Sequence, residues 1–366
     1  MQNFELPIFN TKSEIVQYLQ SFDPIKYARS RNYLNGGVSY LSPYINLGLI
    51  TLREIVDITS SRYKINSSEK WIQELSWRDY FISVHQAKLD EIFTPLKNPQ
   101  TDARSFKMPS AIVEGCTGIT AIDNAIHKLY QTGYLHNHER MWLASIVCNV
   151  AKVDWLTGAK WMYSHLIDGN YASNMLSWQW VAGTFSSKKY YANQENINKY
   201  SLVNQKNTFL DIDYSNFEDL KVPDILIPTM DLDFEKVLVI PHEMKFIKPE
   251  CSSIILINEN TINEIYNLKD KDVILFISQE NQAKYPMSKA KWNLIIRLLK
   301  NNLPNAKICV GDSDIIANFY KLYDNVEIAK IQRLYPTLDK YYSSFFQFWK
   351  QVEKLSRITQ KNSQFK

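Results

Sequence analysis

The chain has 366 residues, 45% of them hydrophobic and 22% charged, with a net charge of +4, the make-up of a globular protein with room for about two domains. So mild a charge excludes a uniformly basic nucleic-acid binder, and any DNA-binding face has to be a local patch. No apolar run approaches the roughly 18 residues of a membrane span. The start, Met1-Gln2-Asn3-Phe4-Glu5, is no basic-then-apolar leader, and Cys116, Cys148, Cys251 and Cys309 form no CxxC or metal-like spacing. A cytoplasmic protein with reduced thiols and no metal site is expected.

From Ser13 to about Ser187 the pattern is helical. Ile119, Ile122, Ile126 and Leu129 recur every three to four positions before a stop at Gly133, and Met141, Ala144, Val147 and Val150 continue the same period. Seven of the nine tryptophans fall between Trp71 and Trp180, which concentrates large aromatic groups in this half. Residues 206–235 turn acidic and carry Pro223 and Pro228, the signature of a linker or surface strap. Beyond them, Val237–Ile240, Ile254–Ile257, Val273–Ile277 and Ile308–Val310 read as buried strands. Helical patterns between and after them are clearest over 289–301, and this alternation predicts a small, mostly parallel sheet. Gly311-Asp312-Ser313 follows a strand end, without a Gly-rich phosphate fingerprint. Leu338 to Leu355 predicts a final docked helix. The expected architecture is an all-α domain (1–205), an acidic linker (206–235) and a small α/β domain (236–366).

Chemistry concentrates in a few places. Leu166-Ile167-Asp168-Gly169-Asn170-Tyr171-Ala172-Ser173-Asn174, followed by Trp178-Gln179-Trp180, mixes an acid, two amides and two indoles. Asn and Asp in an apolar segment need hydrogen bonds, and a buried Trp needs a partner for its N–H. Such a segment suits the wall of a polar-lined pocket for a flat aromatic group. Glu74, Trp77 and Arg78 occupy i, i+3 and i+4 and share one helix face. His136 and His138, two apart at a helix start, do not face one another, which argues against a metal site.

Four motifs in order, from Tyr27 to Ala182, closely resemble the photolyase and cryptochrome family. They are Tyr27-Ala28-Arg29-Ser30-Arg31-Asn32 leading to Val38-Ser39-Tyr40-Leu41-Ser42-Pro43; Glu74-Leu75-Ser76-Trp77-Arg78-Asp79-Tyr80; Gly133-Tyr134-Leu135-His136-Asn137-His138-Glu139-Arg140-Met141; and the 166–180 segment. The resemblance implies FAD as cofactor, bound by Tyr27, Ser39, Leu41, Ser42, Trp71, Arg78, Asn137, Arg140, Asp168, Asn170 and Asn174. Asp168 would pair with Arg140, and Asn174 would face flavin N5, where photolyases carry Asn. It implies that Glu74, Trp77, Met141 and Trp180 meet a damaged pyrimidine pair, and that Trp178 and Trp155 begin an electron relay. No third relay tryptophan lies between Asp90 and Cys116, so the relay would either be truncated or use Trp142, Trp161 or a tyrosine.

Some positions depart from the family. Val38 replaces a Thr, Asn170 replaces an Asp, and His138 stands where an Arg often nears DNA phosphate. Tyr190 to Asn196 replaces a loop that grips DNA, and few residues precede Tyr27 where the family has an α/β antenna domain. The implied function is light-driven repair of cyclobutane pyrimidine dimers in DNA, with single strands preferred. The alternative is a cryptochrome-like blue-light photoreceptor without repair activity.

Overall fold

Local start and stop signals divide the first two hundred residues into helices. The computed structural model describes residues 6–234, 250–263 and 270–363. In it the helices are α1 (Lys12–Ser21), α2 (Pro24–Ser30), α3 (Ser42–Asn46), α4 (Leu52–Ser60), α5 (Ile65–Lys88), α6 (Ser110–Glu114), α7 (Thr120–Thr132), α8 (Asn137–Ser145), α9 (Trp155–His165), α10 (Tyr171–Ala182) and α11 (Gln194–Ser201). Thr51 and Glu54 close a reciprocal capping box at α4, which satisfies two of the backbone donors a helix start leaves open. Asn170 caps α10 by accepting from Ser173 N, and Gly183, at φ +78°, ends it. The expected stop at Gly133 ends α7 with φ +69°, a left-handed turn that only glycine adopts without steric cost.

The acidic stretch is a strap on this helical body. Leu210, Phe217 and Leu226 are buried in its core, and Thr229–Met230 pairs antiparallel with Met108–Pro109 as β2 on β1.

The C-terminal unit is a parallel sheet of β3 (Ser253–Ile257), β4 (Lys271–Ser278), β5 (Lys307–Gly311) and β6 (Asn325–Ile328), in the order β5-β4-β3-β6. Around it lie α12 (Gln279–Lys284), α13 (Lys289–Asn302), α14 (Ser313–Leu322) and α15 (Phe345–Ser363). The strands expected at 254–257, 273–277 and 308–310 fall inside β3, β4 and β5, whereas the candidate Val237–Ile240 lies outside the described residues. The last helix begins at Phe345, not Leu338. Ser344 starts it, its hydroxyl accepting from Gln347 N and its carbonyl from Phe348 N. The preceding residues form an irregular strap clamped to α5. There the fully buried Asp79 carboxylate accepts from Arg333 Nε and Nη2 at 2.8 and 2.9 Å and from the amides of Leu334 and Tyr335.

The cores do not divide where the sequence shifts. One holds α7 to α10, the acidic strap and the start of α15. A second joins Ile15, Leu19, Leu41, Ile50 and Ile55 from the first four helices and their connections to Ile255, Leu275, Ile295 and Leu298 of the sheet and α13. A smaller one packs Phe319 of α14 on the opposite sheet face with Ile254, Leu256 and Ile274. The N-terminal helices therefore cover one face of the C-terminal sheet.

Candidate functional site

α5, α8 and α10 enclose a cavity of about 530 Å³, within the range of cofactor sites. Its floor carries the charged clamp. Arg140 Nη2 reaches both oxygens of buried Asp168, at 2.9 and 2.8 Å. Burial opposes the Arg140 charge, but Asp168 more than offsets it, so the guanidinium is held above its ordinary pKa. Ser42 Oγ donates to Asp168 Oδ2 at 2.5 Å. Asn46 joins the network from both ends, accepting from Arg78 Nη1 and donating to the Asp168 carbonyl. Arg78 itself forms no ion pair among the described residues, and burial lowers its pKa. Arg78 is half-buried and the nearby Asp168 is engaged by Arg140, so a cation that is costly to leave unpaired remains for an anion at this wall.

Deeper in the wall, Asn174 Nδ2 donates to Ala159 O at 2.9 Å. Its Oδ1 has no partner among the described residues, which leaves an acceptor for a ligand N–H. Trp178, 2% exposed, packs over Gly158, where a Cβ would lie 2.3 Å from the indole Cζ3. Glycine is thus required for the indole to pack this closely on α9.

At the rim, Glu74 pairs with Arg31 at 3.1 Å and Lys70 at 2.8 Å. Asn137 Nδ2 contacts Met141 Sδ at 3.4 Å, and Trp180 is 38% exposed beside Tyr190. Trp77 lies flat against Phe345 of α15, ring centroids 3.7 Å apart and planes within 10°. The exposed Phe346 lines the same mouth.

Eleven of the expected residues thus share one cavity wall: Glu74, Trp77, Arg78, Asn137, Arg140, Met141, Asp168, Asn170, Asn174, Trp178 and Trp180. The others do not line it. Tyr27 and Trp71 pack on each other 4.8 Å apart, and Trp71 Nε1 donates to Thr59 Oγ1. Ser39 Oγ accepts from Leu41 N, Leu41 is fully buried, and Ser42 reaches the cavity only through Asp168. Trp155 begins α9, 1% exposed. His138 is turned inward against Tyr200 and Trp142, and burial pushes its pKa down to about 4.

The sequence reading passed over Asn46, although its place four residues after Ser42 puts both on one helix face. It also passed over two groups of α13. Lys291 Nζ, buried, donates to Gly169 O at 2.9 Å, and Ser288 Oγ donates to Leu166 O at 3.2 Å. No local pattern marks either. Among the described residues, no cluster of three His, Cys, Asp or Glu side chains is placed to hold a metal, and no helix is long and apolar enough to cross a membrane.

Residues 71–213 match the family described as the FAD binding domain of DNA photolyase. The deoxyribodipyrimidine photo-lyase of Streptomyces griseus is 33% identical over 40% of this chain and 32% of its own length. The mitochondrial enzyme of that name from Saccharomyces cerevisiae is 34% identical over 43% of this chain and 31% of its own. The chain thus spans about a third of the length of the curated relatives it matches. The crystal structure of the Synechocystis sp. PCC6803 cryptochrome aligns with 55% of this chain and 46% of that one, at 27% identity and a TM-score of 0.49. FAD is a flat ring system joined to a diphosphate, and the cavity offers what it needs: a half-buried guanidinium with no ion pair among the described residues, a free amide oxygen and an indole wall. Residues 71–213, which supply most of this cavity wall, are similar to the FAD binding domain of DNA photolyase.

Proposed function

We propose that this protein is a light-driven repair flavoprotein that splits cyclobutane pyrimidine dimers in DNA, with single strands preferred over duplex. One observation carries the reading: the cavity wall with Arg78, Asn174 and Trp178 is continuous with a rim bearing Glu74, Trp77, Met141 and Trp180. Bound, reduced FAD supplies a light-excitable electron donor. The chain's own residues then have separable tasks. Arg78 receives the anionic end of the cofactor, and Ser42 holds Asp168 in place beside it. Asp168 fixes Arg140, and Asn174 Oδ1 accepts a hydrogen bond from the ring system. Trp178 and Trp155 offer oxidisable indoles for restoring the reduced form. Both cations of Glu74 sit on Oε1, which leaves Oε2 to accept from a base N–H. Trp77 and Trp180 supply stacking surface, worth about 1–3 kcal/mol per base. A flipped lesion leaves a single strand at less cost than a duplex, and His138, turned inward and neutral, adds no phosphate contact. A cytoplasmic location belongs to the same proposal.

The second reading is a blue-light photoreceptor, favoured by Phe345, which already covers one face of Trp77. Light-dependent recovery of thymines from irradiated single- and double-stranded oligonucleotides separates the two. The comparison is fully reduced wild type against Glu74→Ala. Recovery by the wild type that falls at least tenfold in the variant supports repair. No recovery by either, with flavin bound and reduced, leaves the photoreceptor.

A further inference from the structure

We propose that the C-terminal α/β unit completes a phosphate site that begins at Arg78. The sheet order β5-β4-β3-β6 places successive strands outward on one side of β3 and then returns the chain to its other side. In open parallel sheets, ligands sit beyond the carboxyl ends of the strands where the order reverses, here between β3 and β6. A second cavity of about 50 Å³ lies there, with room for a few waters or one tetrahedral oxyanion. Asn260 and Thr261 enter it from the loop after β3, and Lys330 from the loop after β6. Arg78, Asn46 and Asn170 close it from the helical body.

The lining chemistry selects an anion. No carboxylate faces the cavity among the described residues. Neither Arg78 nor Lys330 has an ion-pair partner among them, and the nearby Asp168 is engaged by Arg140. Asn260 Oδ1 is enclosed without a hydrogen-bond partner, and a rotated amide would present its N–H₂ group instead. The loop that carries it is fixed: Ile262 N donates to Leu47 O at 2.8 Å. Gly48 at φ +79° would place a Cβ 2.6 Å from Asn260 O. Two cations, amides and a hydroxyl held by rigid backbone suit a phosphate group.

Arg78 and Asn170 line this cavity and the larger one alike. The phosphate therefore belongs either to FAD, in which case the inference rests on the FAD reading above, or to a separate phosphate bound beside it. The test uses the full chain with FAD, riboflavin (which has no phosphate) and inorganic phosphate as probes, on wild type, Lys330→Ala and Asn260→Ala. Lys330 is exposed, so its truncation leaves the fold intact. If the site holds the cofactor, FAD affinity falls about tenfold in each variant while riboflavin affinity stays put, the effect of one lost charge-assisted contact. If it holds a separate phosphate, FAD affinity is unchanged. Inorganic phosphate then raises the melting temperature of FAD-loaded wild type but not of Lys330→Ala. Identical FAD and phosphate responses in wild type and both variants overturn the inference. A wild type that binds phosphate through Lys330 but no FAD overturns the cofactor reading alone.

Discussion

Phe345 and Trp77 make contact across most of the chain's length, and the consequences of their stack can be measured. Phe345 is 2% exposed. Its truncation to Ala is expected to cost about 3–5 kcal/mol, the usual range for a buried phenylalanine, read by urea denaturation. The same change bares one face of Trp77, so binding of a short oligothymidine should strengthen and quench tryptophan fluorescence more than in wild type. Unaltered oligonucleotide binding in a folded Phe345→Ala protein would mean that Trp77 is no stacking platform. Trp178 is constrained differently: Gly158→Ala drives a methyl into its ring, and overpacking of this kind costs about 1–3 kcal/mol. Trp178→Phe, which keeps the packing and removes the oxidisable indole, should instead slow photoreduction of the flavin with little loss of stability. Equal photoreduction rates would show that electrons reach the flavin by another route. Asp168, Asn174 and Trp178 were legible in the sequence because a polar-aromatic mixture inside an apolar segment needs partners. Phe345 was not, because a ring contact between distant segments leaves no trace in either local pattern.

Among the elements, α13 reaches furthest from its own unit. Ser288, its N-cap, and Lys291 on its first turn donate to the carbonyls of Leu166 and Gly169, and Asn46 donates to that of Asp168 between them. The loop presenting Asp168 to Arg140 is therefore held from outside the helical body. Lys291→Met keeps the length of the side chain and removes its donor. It is expected to reduce flavin retained through gel filtration, with far-UV circular dichroism unchanged, while Lys291→Arg restores part of it. Equal flavin content in wild type and Lys291→Met would rule out this role.

The start of α8 adds a pH dependence. Burial, then the charges of His138, Lys128 and Arg140, pushes His136 down to about 3. Burial and Arg31 push His138 down to about 4. Both are below the ordinary value of 6.5, so the unfolded chain takes up protons first as the solution is acidified. Their contribution is complete above pH 6.5 and is lost as the pH falls through 4 toward 3. His138→Phe should flatten the fall in urea midpoint between pH 6.5 and 4; an unchanged slope would place the acid sensitivity elsewhere. At this scale β3, β4 and β5 were legible because strands buried on both faces read as continuous apolar runs. The edge strand β6, Asn325-Val326-Glu327-Ile328, is short and largely exposed, and such a segment resembles a loop.

At the scale of the molecule, the composition shift near residue 205 marks the strap and not a boundary between cores. α1 to α4 bury their apolar faces on the sheet, so the expected unit 1–205, even with its strap, lacks half of one core. A fragment ending at residue 235 should bind a hydrophobic dye and melt without a cooperative transition, whereas the full chain should unfold cooperatively. A fragment with a sharp calorimetric transition would show that the helical body stands alone. The sequence carried the fold class of each half, because periodicity is local. It did not carry their shared packing, because Leu41, Ile50 and Ile255 look alike whichever surface they meet.

That shared packing also orders events during synthesis. The first helices leave the ribosome long before the strands that cover them, and chains as a rule fold in units as they emerge. Here the opening helices have to wait, with Ile15, Leu41 and Ile55 uncovered, until β3 to β5 and α13 are made. The loop bearing Asp168 waits with them for Ser288 and Lys291. Flavin capture is then a late step of biogenesis, and a nascent chain stalled before residue 288 would stay colourless with every residue of its main cavity wall except Phe345 and Phe346 already in place.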